Sequence, residues 1–283
     1  MIPETGTATT LGVSIVLHES DLGLLQATLE HLARAVCRAR DSDLLDTVSV
    51  TVLDNASSDE YGAAAQALVG TIAESYPAAW TFSYRQNPRN VGFGSGHNLA
   101  LQDCQAEYLL VLNPDVELAA TAINEGLRFL REQSDAVAVN PLCKRDNGSR
   151  EFLCKRYPSL FDLLLRGLGV RWLQQRFAER LAHYEYRELD DTRPGLVTLT
   201  SGACLLLRAR DFRACAGFDA GYFLYFEDFD LAMRLSHRGA LYYLPSMRVV
   251  HHGGFAARKG LRHVAMFLRS AVRFYSIHGW RLR

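Results

Sequence analysis

Three short apolar runs, each broken off by polar side chains, constrain this chain more than any other feature. VSIVL at 13–17 is followed by His18 and Glu19, VSVTVL at 48–53 by Asp54 and Asn55, and YLLVL at 108–112 by Asn113, Pro114 and Asp115. Runs of four to six apolar, β-branched-rich residues read as buried strands. Between them Leu24, Leu25, Leu29, Leu32 and Val36 fall close to the helical period, and residues 58–73 read as a second helix. A short strand over 81–85 and a helix from Gly96 or His97 to Cys104 complete the first half. Strand alternating with helix predicts an α/β fold with a mostly parallel, doubly wound, Rossmann-like central sheet flanked by helices. Ligands of such sheets bind beyond the carboxyl ends of the strands, where these polar residues stand.

The second half has weaker periodicity. Residues 150–187 are helix-rich, basic and aromatic, and read as an insertion on the acceptor side. Residues 196–207 read as a strand, 216–219 as a turn, and FEDFD at 226–230 as the acidic start of a helix. The 283 residues, 48% of them hydrophobic, suffice for a buried core. No apolar run approaches the ~18 residues needed to span a bilayer, and residues 1–17 lack an export signal, so a cytoplasmic protein is expected. The six cysteines form no CxxC pair and are expected to be reduced, without a disulfide or metal framework. Zero net charge argues against general nucleic-acid binding. The charge is unevenly placed, however. After Asp230 there is no acid, while Arg234, Arg238, Arg248, Arg258, Lys259, Arg262, Arg269, Arg273, Arg281 and Arg283 all follow.

Several segments offer chemistry, each with a structural alternative. Asp54 could accept hydrogen bonds from a base or ribose, or cap a turn. NVGFGSGHN at 90–98, with Asn90, Gly92 and Asn98, permits close backbone approach to a phosphate or sugar, though its spacing is not that of a dinucleotide fingerprint. Asp115 could ligate a divalent cation or cap a helix, with Glu117 the nearest second carboxylate in the sequence. Glu227, Asp228 and Asp230 crowd together behind the aromatic run at 222–226, which should raise at least one carboxyl pKa towards that of a general base. Otherwise they are ordinary acids at a helix start. His251, first of HHGG at 251–254, could offer an imidazole to the same metal, or be one of a buried and exposed pair.

Taken together and in this order, these segments resemble the family 2 glycosyltransferases of the GT-A fold, over residues 13–273. TSGACLLLR at 200–208, GFD at 217–219, FLYFEDFDLAMR at 223–234 and Gly239 are similar to the second-half signature of its rhamnosyltransferase-like members; NVGFGSGHN and NPD at 113–115 are similar to the first-half signature. The resemblance implies one GT-A domain: a nucleotide-sugar half at 1–140 and an acceptor half at 141–283 that ends in a helical segment. It implies that Asp54 binds the nucleobase, that Asp115 is the surviving acid of a D-x-D metal motif whose first acid is Asn113, and that Asp228 is the general base. Glu227 would touch a sugar, Gly202 would line the acceptor side, His251 would be a metal ligand or diphosphate contact, and His18 would take over base stacking. Asn90, Gly92, Asn98 and Asn113 join the expected substrate-binding set. A divalent cation, Mg2+ or Mn2+, a dTDP-rhamnose donor and a glycan or lipid-linked glycan acceptor of the bacterial surface are implied with it. In HHGG the glycines are followed by Phe255 and Ala256 where the family usually has Ser.

Val264, Phe267, Leu268, Ala271, Val272 and Tyr275 alternate with Arg269 and Arg273 in a helical pattern. Such a helix could lie on the anionic inner face of a membrane or pack on the catalytic domain. Two other functional readings stay open: a sugar-phosphate nucleotidyltransferase-like enzyme, although residues 17–21 lack the Gly-rich basic loop expected after its first strand, and a non-catalytic sugar-nucleotide-binding scaffold.

Overall fold

The computed structural model describes residues 9–76, 80–167, 169–253 and 260–283. The expectations that touch Gly254, Phe255, Ala256, Arg258 and Lys259 lie outside them.

The first half builds as its periodicity predicts: β1 (Thr10–Leu17), α1 (Leu22–Asp41), β2 (Thr47–Asn55), α2 (Asp59–Glu74), β3 (Trp80–Asn87), α3 (Phe93–Leu101) and β4 (Tyr108–Leu112). Asp21 caps α1 by accepting from the Leu24 amide at 3.0 Å, and Ser58 caps α2. α3 starts three residues earlier than its sequence suggests. Gly94 and Gly96 belong to its first turns, because a Cβ on Gly94 would stand 2.8 Å from the Phe218 side chain and one on Gly96 2.9 Å from that of Val16. These glycines bring the helix down onto its neighbours.

Then follow β5 (Val116–Leu118), α4 (Ala122–Glu132), β6 (Ala136–Lys144), β7 (Arg150–Glu151), α5 (Leu160–Gly167), α6 (Arg171–Arg176), α7 (Ala178–Tyr184), β8 (Gly195–Leu196), β9 (Cys204–Arg208), α8 (Ala209–Ala214), α9 (Glu227–Ser236), β10 (Ala240–His251) and α10 (Leu261–His278). The strand expected over 196–207 is interrupted. Its ends are β8 and β9, and between them Leu199 makes an isolated antiparallel bridge to Lys155.

One mixed sheet runs in the order β3-β2-β1-β4-β9-β6-β10-β5, with β7 beside β6 and β8 beside β10. β1, β2, β3 and β4 are parallel, β9 is antiparallel to both β4 and β6, and β10 is parallel to β6. β1, β2, β3, β4, β6 and β10 therefore share one direction, and helices cover the sheet. Val13, Ile15, Val50, Val52, Leu110 and Leu112 are fully buried, each contributing about 1.5–3 kcal/mol relative to exposure. Because β9 and β10 enter the sheet beside β4 and β5, the second half carries its polar residues to the edge where β1, β2 and β4 end.

α10 packs one face on the domain. Ala271, Phe274 and Tyr275 are buried against Tyr222 and Phe226, the Ser270 hydroxyl donates to the Leu224 carbonyl at 2.8 Å, and His278 Nε2 lies 2.8 Å from Asp230 Oδ1. Val264, Leu268 and Val272, four residues apart, remain more than half exposed. No helix among the described residues is long and apolar enough to cross a membrane.

Candidate active site

The site grows from the carboxyl ends of β1, β2 and β4. Asp54 ends buried, with Oδ1 accepting from the Ser57 amide at 2.9 Å and Oδ2 from the Tyr84 hydroxyl at 2.9 Å. Its turn-capping role is therefore filled, and a base would reach only its remaining lone pairs. His18 is exposed in the adjoining loop, and Glu19 ties that loop to β2 by accepting from the Ser58 amide at 2.7 Å. Asn55 and Asn90 knit the glycine loop to the strand: Asn55 Nδ2 donates to Asn90 Oδ1 and to the Gly92 carbonyl, both at 3.0 Å, and Asn90 Oδ1 also accepts from the Gly92 amide at 2.9 Å.

Asn98 has a structural part to play. Its Nδ2 donates to the Phe218 carbonyl at 2.7 Å while its Oδ1 accepts from the Phe218 amide at 2.9 Å. Asn98 therefore clamps the turn at 217–218, with one N–H and one lone pair of its amide left over.

The acidic motif opens α9 in a strained way. Tyr225 and Phe226, at φ 71° and 64°, are consecutive non-glycine residues in the left-handed region. Each such residue costs on the order of 1–3 kcal/mol and persists only where its surroundings hold it. Here Phe226 is buried among Phe229, Phe267 and Phe274. The turn sets Glu227 in the interior, 4% exposed, with Oε2 buried and unpartnered, and leaves Asp228 partly exposed. Asp228 Oδ2 accepts from the Gly202 amide at 3.2 Å and Oδ1 from the Phe229 amide at 2.9 Å. Burial, and then repulsion from Asp228, raise the Glu227 carboxyl to about 8. Burial also raises that of Asp228, against these amides and the buried Lys155 ammonium. Neighbouring acids pushed apart in this way can share one proton, which leaves one as a base at neutral pH. Asp230 plays another part: it is buried between Arg234 and His278.

Ala203, next to Gly202, accepts from the Asn113 amide at 2.9 Å. One dipeptide therefore holds Asp228 on one side and the Asn113–Asp115 turn on the other. Antiparallel pairing of His251 with Val116 then sets His251 beside Asp115. His251 Nε2 is 3.4 Å from Asp115 Oδ1 and 3.5 Å from Asn113 Nδ2, and Nδ1 is 3.1 Å from Glu151 Oε2. Burial opposes charge on this imidazole, but the hydrogen bonds to Asp115 and Glu151 outweigh it and raise His251 to about 9.

These residues fit a divalent cation. Asp115 Oδ1 is buried and, beyond the His251 ring 3.4 Å away, has no hydrogen-bond partner among the described residues; the approach is kept open by Gly253, where a Cβ would stand 2.6 Å from His251 Nε2 and 3.0 Å from Asp115 Oδ2. Glu117, the second acid suggested by the sequence, faces elsewhere: it lies 3.2 Å from His31 and 3.0 Å from His252. Neighbouring residues of an extended chain point to opposite sides, which turns His252 away from His251, and Glu117 goes with His252. The carboxylate beside His251 is instead Glu151, on the two-residue β7 opposite Cys143. Sequence reading missed it, because so short a strand carries no pattern. The same holds for Asn140, which is fully buried; its Oδ1 accepts from the Ser201 amide at 2.7 Å and its Nδ2 donates to the Ser201 carbonyl at 2.9 Å, bracing the loop that holds Asp228.

A family model described as Glycosyl transferase family 2 matches residues 16–215. An N-acetylglucosaminyl-diphospho-decaprenol L-rhamnosyltransferase of Mycobacterium tuberculosis is 30% identical over 255 residues, covering 82% of this chain and 76% of that protein. The rhamnosyltransferase WbbL of Escherichia coli K12 is 28% identical over 57% of this chain and 61% of its own length. Among solved structures, GalNAc-T7 with UDP, GalNAc and Mn2+ superposes at a TM-score of 0.61 with 14% identity, over 87% of this chain and 43% of that one. The mannosyltransferase PcManGT of Pyrobaculum calidifontis, with GDP-Man and Mn2+, gives 0.58 and 14% over 96% of this chain and 76% of that one. The fold is thus that of the GT-A glycosyltransferases, and the chain belongs to glycosyl transferase family 2, as an enzyme similar to its rhamnosyltransferases.

Proposed function

We propose that this glycosyltransferase moves rhamnose from dTDP-rhamnose, with inversion at the anomeric carbon, to a lipid-linked surface-glycan acceptor such as an O-antigen, capsule or lipopolysaccharide-core intermediate. The names of its relatives support the sugar, and the diphospho-decaprenol in the mycobacterial name supports the acceptor class. Asp228 is the base that takes the acceptor proton. The Gly202 and Phe229 amides orient its carboxylate, and Glu227, kept protonated by burial, offers its unpartnered oxygen to a sugar hydroxyl. Asp115 and His251 hold a divalent cation, Mg2+ or Mn2+. When bound, such an ion offsets the charge developing on the leaving diphosphate. His18, Asp54, Asn90 and Gly92 border the nucleotide end, with Asn113 between cation and sugar.

The observation that carries this reading is the Gly202–Ala203 dipeptide, which ties the base to the metal-side turn through two backbone hydrogen bonds. Asp228→Asn should cut transfer by about 10²–10⁴-fold, the usual worth of a positioned base, while thermal stabilisation by dTDP with Mn2+ persists. Unchanged transfer would remove Asp228 from the mechanism. If thymidine, uridine and guanosine diphosphates all leave the melting point unmoved, the donor reading fails.

We place the enzyme at the cytoplasmic face of the membrane through α10. Arg262 and Arg269 have no carboxylate of the described residues within 4.0 Å, and the neighbouring Val264, Leu268 and Val272 form an exposed apolar ridge.

A further inference from the structure

A D-x-D motif ordinarily brings two carboxylates to its cation, whereas this chain has Asn113 and Asp115. The compensation lies on the far side of the histidine. His251 meets Asp115 through Nε2 and Glu151 through Nδ1. Glu151 is held there by the register of β7 on β6, which pairs it with Cys143, and Arg145 approaches its Oε2 at 3.9 Å. Where a cation displaces the proton from Nε2, a carboxylate on Nδ1 keeps hydrogen on Nδ1 and makes the Nε2 lone pair a better donor. Nε2 faces the buried Asp115 Oδ1, 3.4 Å away.

We infer that Glu151 is a positioning residue of the cation site, the outer member of a Glu151–His251–cation relay whose inner ligands are His251 Nε2 and Asp115. A different arrangement is geometrically available, since Cys143, Glu151 and His251 also offer three donor atoms within 4.8 Å of one another. That set would use Nδ1 and leave Asp115 out. The buried Asp115 Oδ1 and the approach past Gly253 are both on the Nε2 side, so the relay accounts for more of the site.

The inference rests on the proposed cation site, and its test separates the two. Mn2+ binding is measured by electron paramagnetic resonance and calorimetry on the whole chain with dTDP present and no acceptor. Glu151→Gln should weaken Mn2+ by about 10–100-fold, as loss of an outer carboxylate commonly does, with its melting point in chelator unchanged. Glu151→Asp should recover part of the loss, and Cys143→Ala should bind as the wild type does. If the wild type binds no Mn2+, the cation reading itself fails. If the wild type binds and Glu151→Gln binds equally, the relay is overturned. Loss in Cys143→Ala equal to that in Glu151→Gln would place the ion on Nδ1 and overturn it too. A readout free of substitutions is the 15N spectrum of the Zn2+-loaded wild type: hydrogen on Nδ1 of His251 with Nε2 ligated supports the relay, and the reverse pattern refutes it.

Discussion

Gly92 and Phe223, 131 positions apart in the chain, meet main chain to main chain. A Cβ on Gly92 would stand 2.1 Å from the Phe223 carbonyl oxygen, and the next amide, that of Phe93, donates to the same oxygen at 3.0 Å. The glycine-rich loop is therefore the abutment for the strained turn that presents Glu227 and Asp228. Loop and acidic motif are thereby joined into one piece.

Gly92→Ala should consequently damage more than the loop. Its φ of 88° is disfavoured for alanine, and the clashing atom is a backbone oxygen that cannot move without loosening the Phe93 hydrogen bond. The two effects together should cost on the order of 2–4 kcal/mol, read by chemical denaturation. A variant as stable as the wild type would show that the contact is not maintained in solution.

Glu227 gives the stability a pH dependence of definite sign. Its carboxyl is raised from 4.5 to about 8 in the folded protein, by burial first and by Asp228 second. Between those values the folded state binds the proton and the unfolded state does not, so stability falls as pH rises through that window. Glu227→Gln keeps the shape and removes the ionisation. It should flatten the fall in melting temperature between about pH 5 and pH 8, with the largest gain over wild type on the alkaline side. Parallel pH profiles for the two proteins would mean that Glu227 is not held protonated. Transfer activity should drop in the same variant, a cost expected where a site stores electrostatic strain.

How far the sequence discloses this arrangement depends on the range of the interactions. β1, β2 and β4 are legible because each is a continuous apolar run buried on both faces, and parallel topology then puts Asp54 and Asn113 at one edge. Asp228 is legible from the crowding of acids behind aromatic residues. The start of α3 is not, since Gly94 and Gly96 look like loop residues until the side chains of Phe218 and Val16 are seen against them. The clamp made by Asn98 is hidden for a related reason: an amide in a glycine-rich loop suits a sugar and a backbone clamp equally well, and the clamp shows only once Phe218 is seen against it. The Asp115–His251 contact depends on antiparallel pairing between segments more than 130 residues apart, and Glu151 on a strand of two residues; neither leaves a local pattern.

The C-terminal helix offers the last test. One side of α10 braces the turn that opens α9, through the Ser270 bond to Leu224 and the contact of His278 with Asp230, while the ridge of Val264, Leu268 and Val272 is 52–58% exposed. A buried face opposite an exposed apolar ridge flanked by arginines is the pattern of a helix lying in a bilayer interface, where each basic residue near an anionic surface is worth about 1 kcal/mol. The protein should therefore sediment with vesicles containing phosphatidylglycerol, bind purely phosphatidylcholine vesicles much less, and be released as salt is raised. Leu268→Glu should weaken this binding several-fold and Arg262→Glu with Arg269→Glu should abolish its salt dependence, both without a change in melting point, because these side chains face solvent. Equal binding to neutral and anionic vesicles, or none to either, would leave α10 as a packing element only.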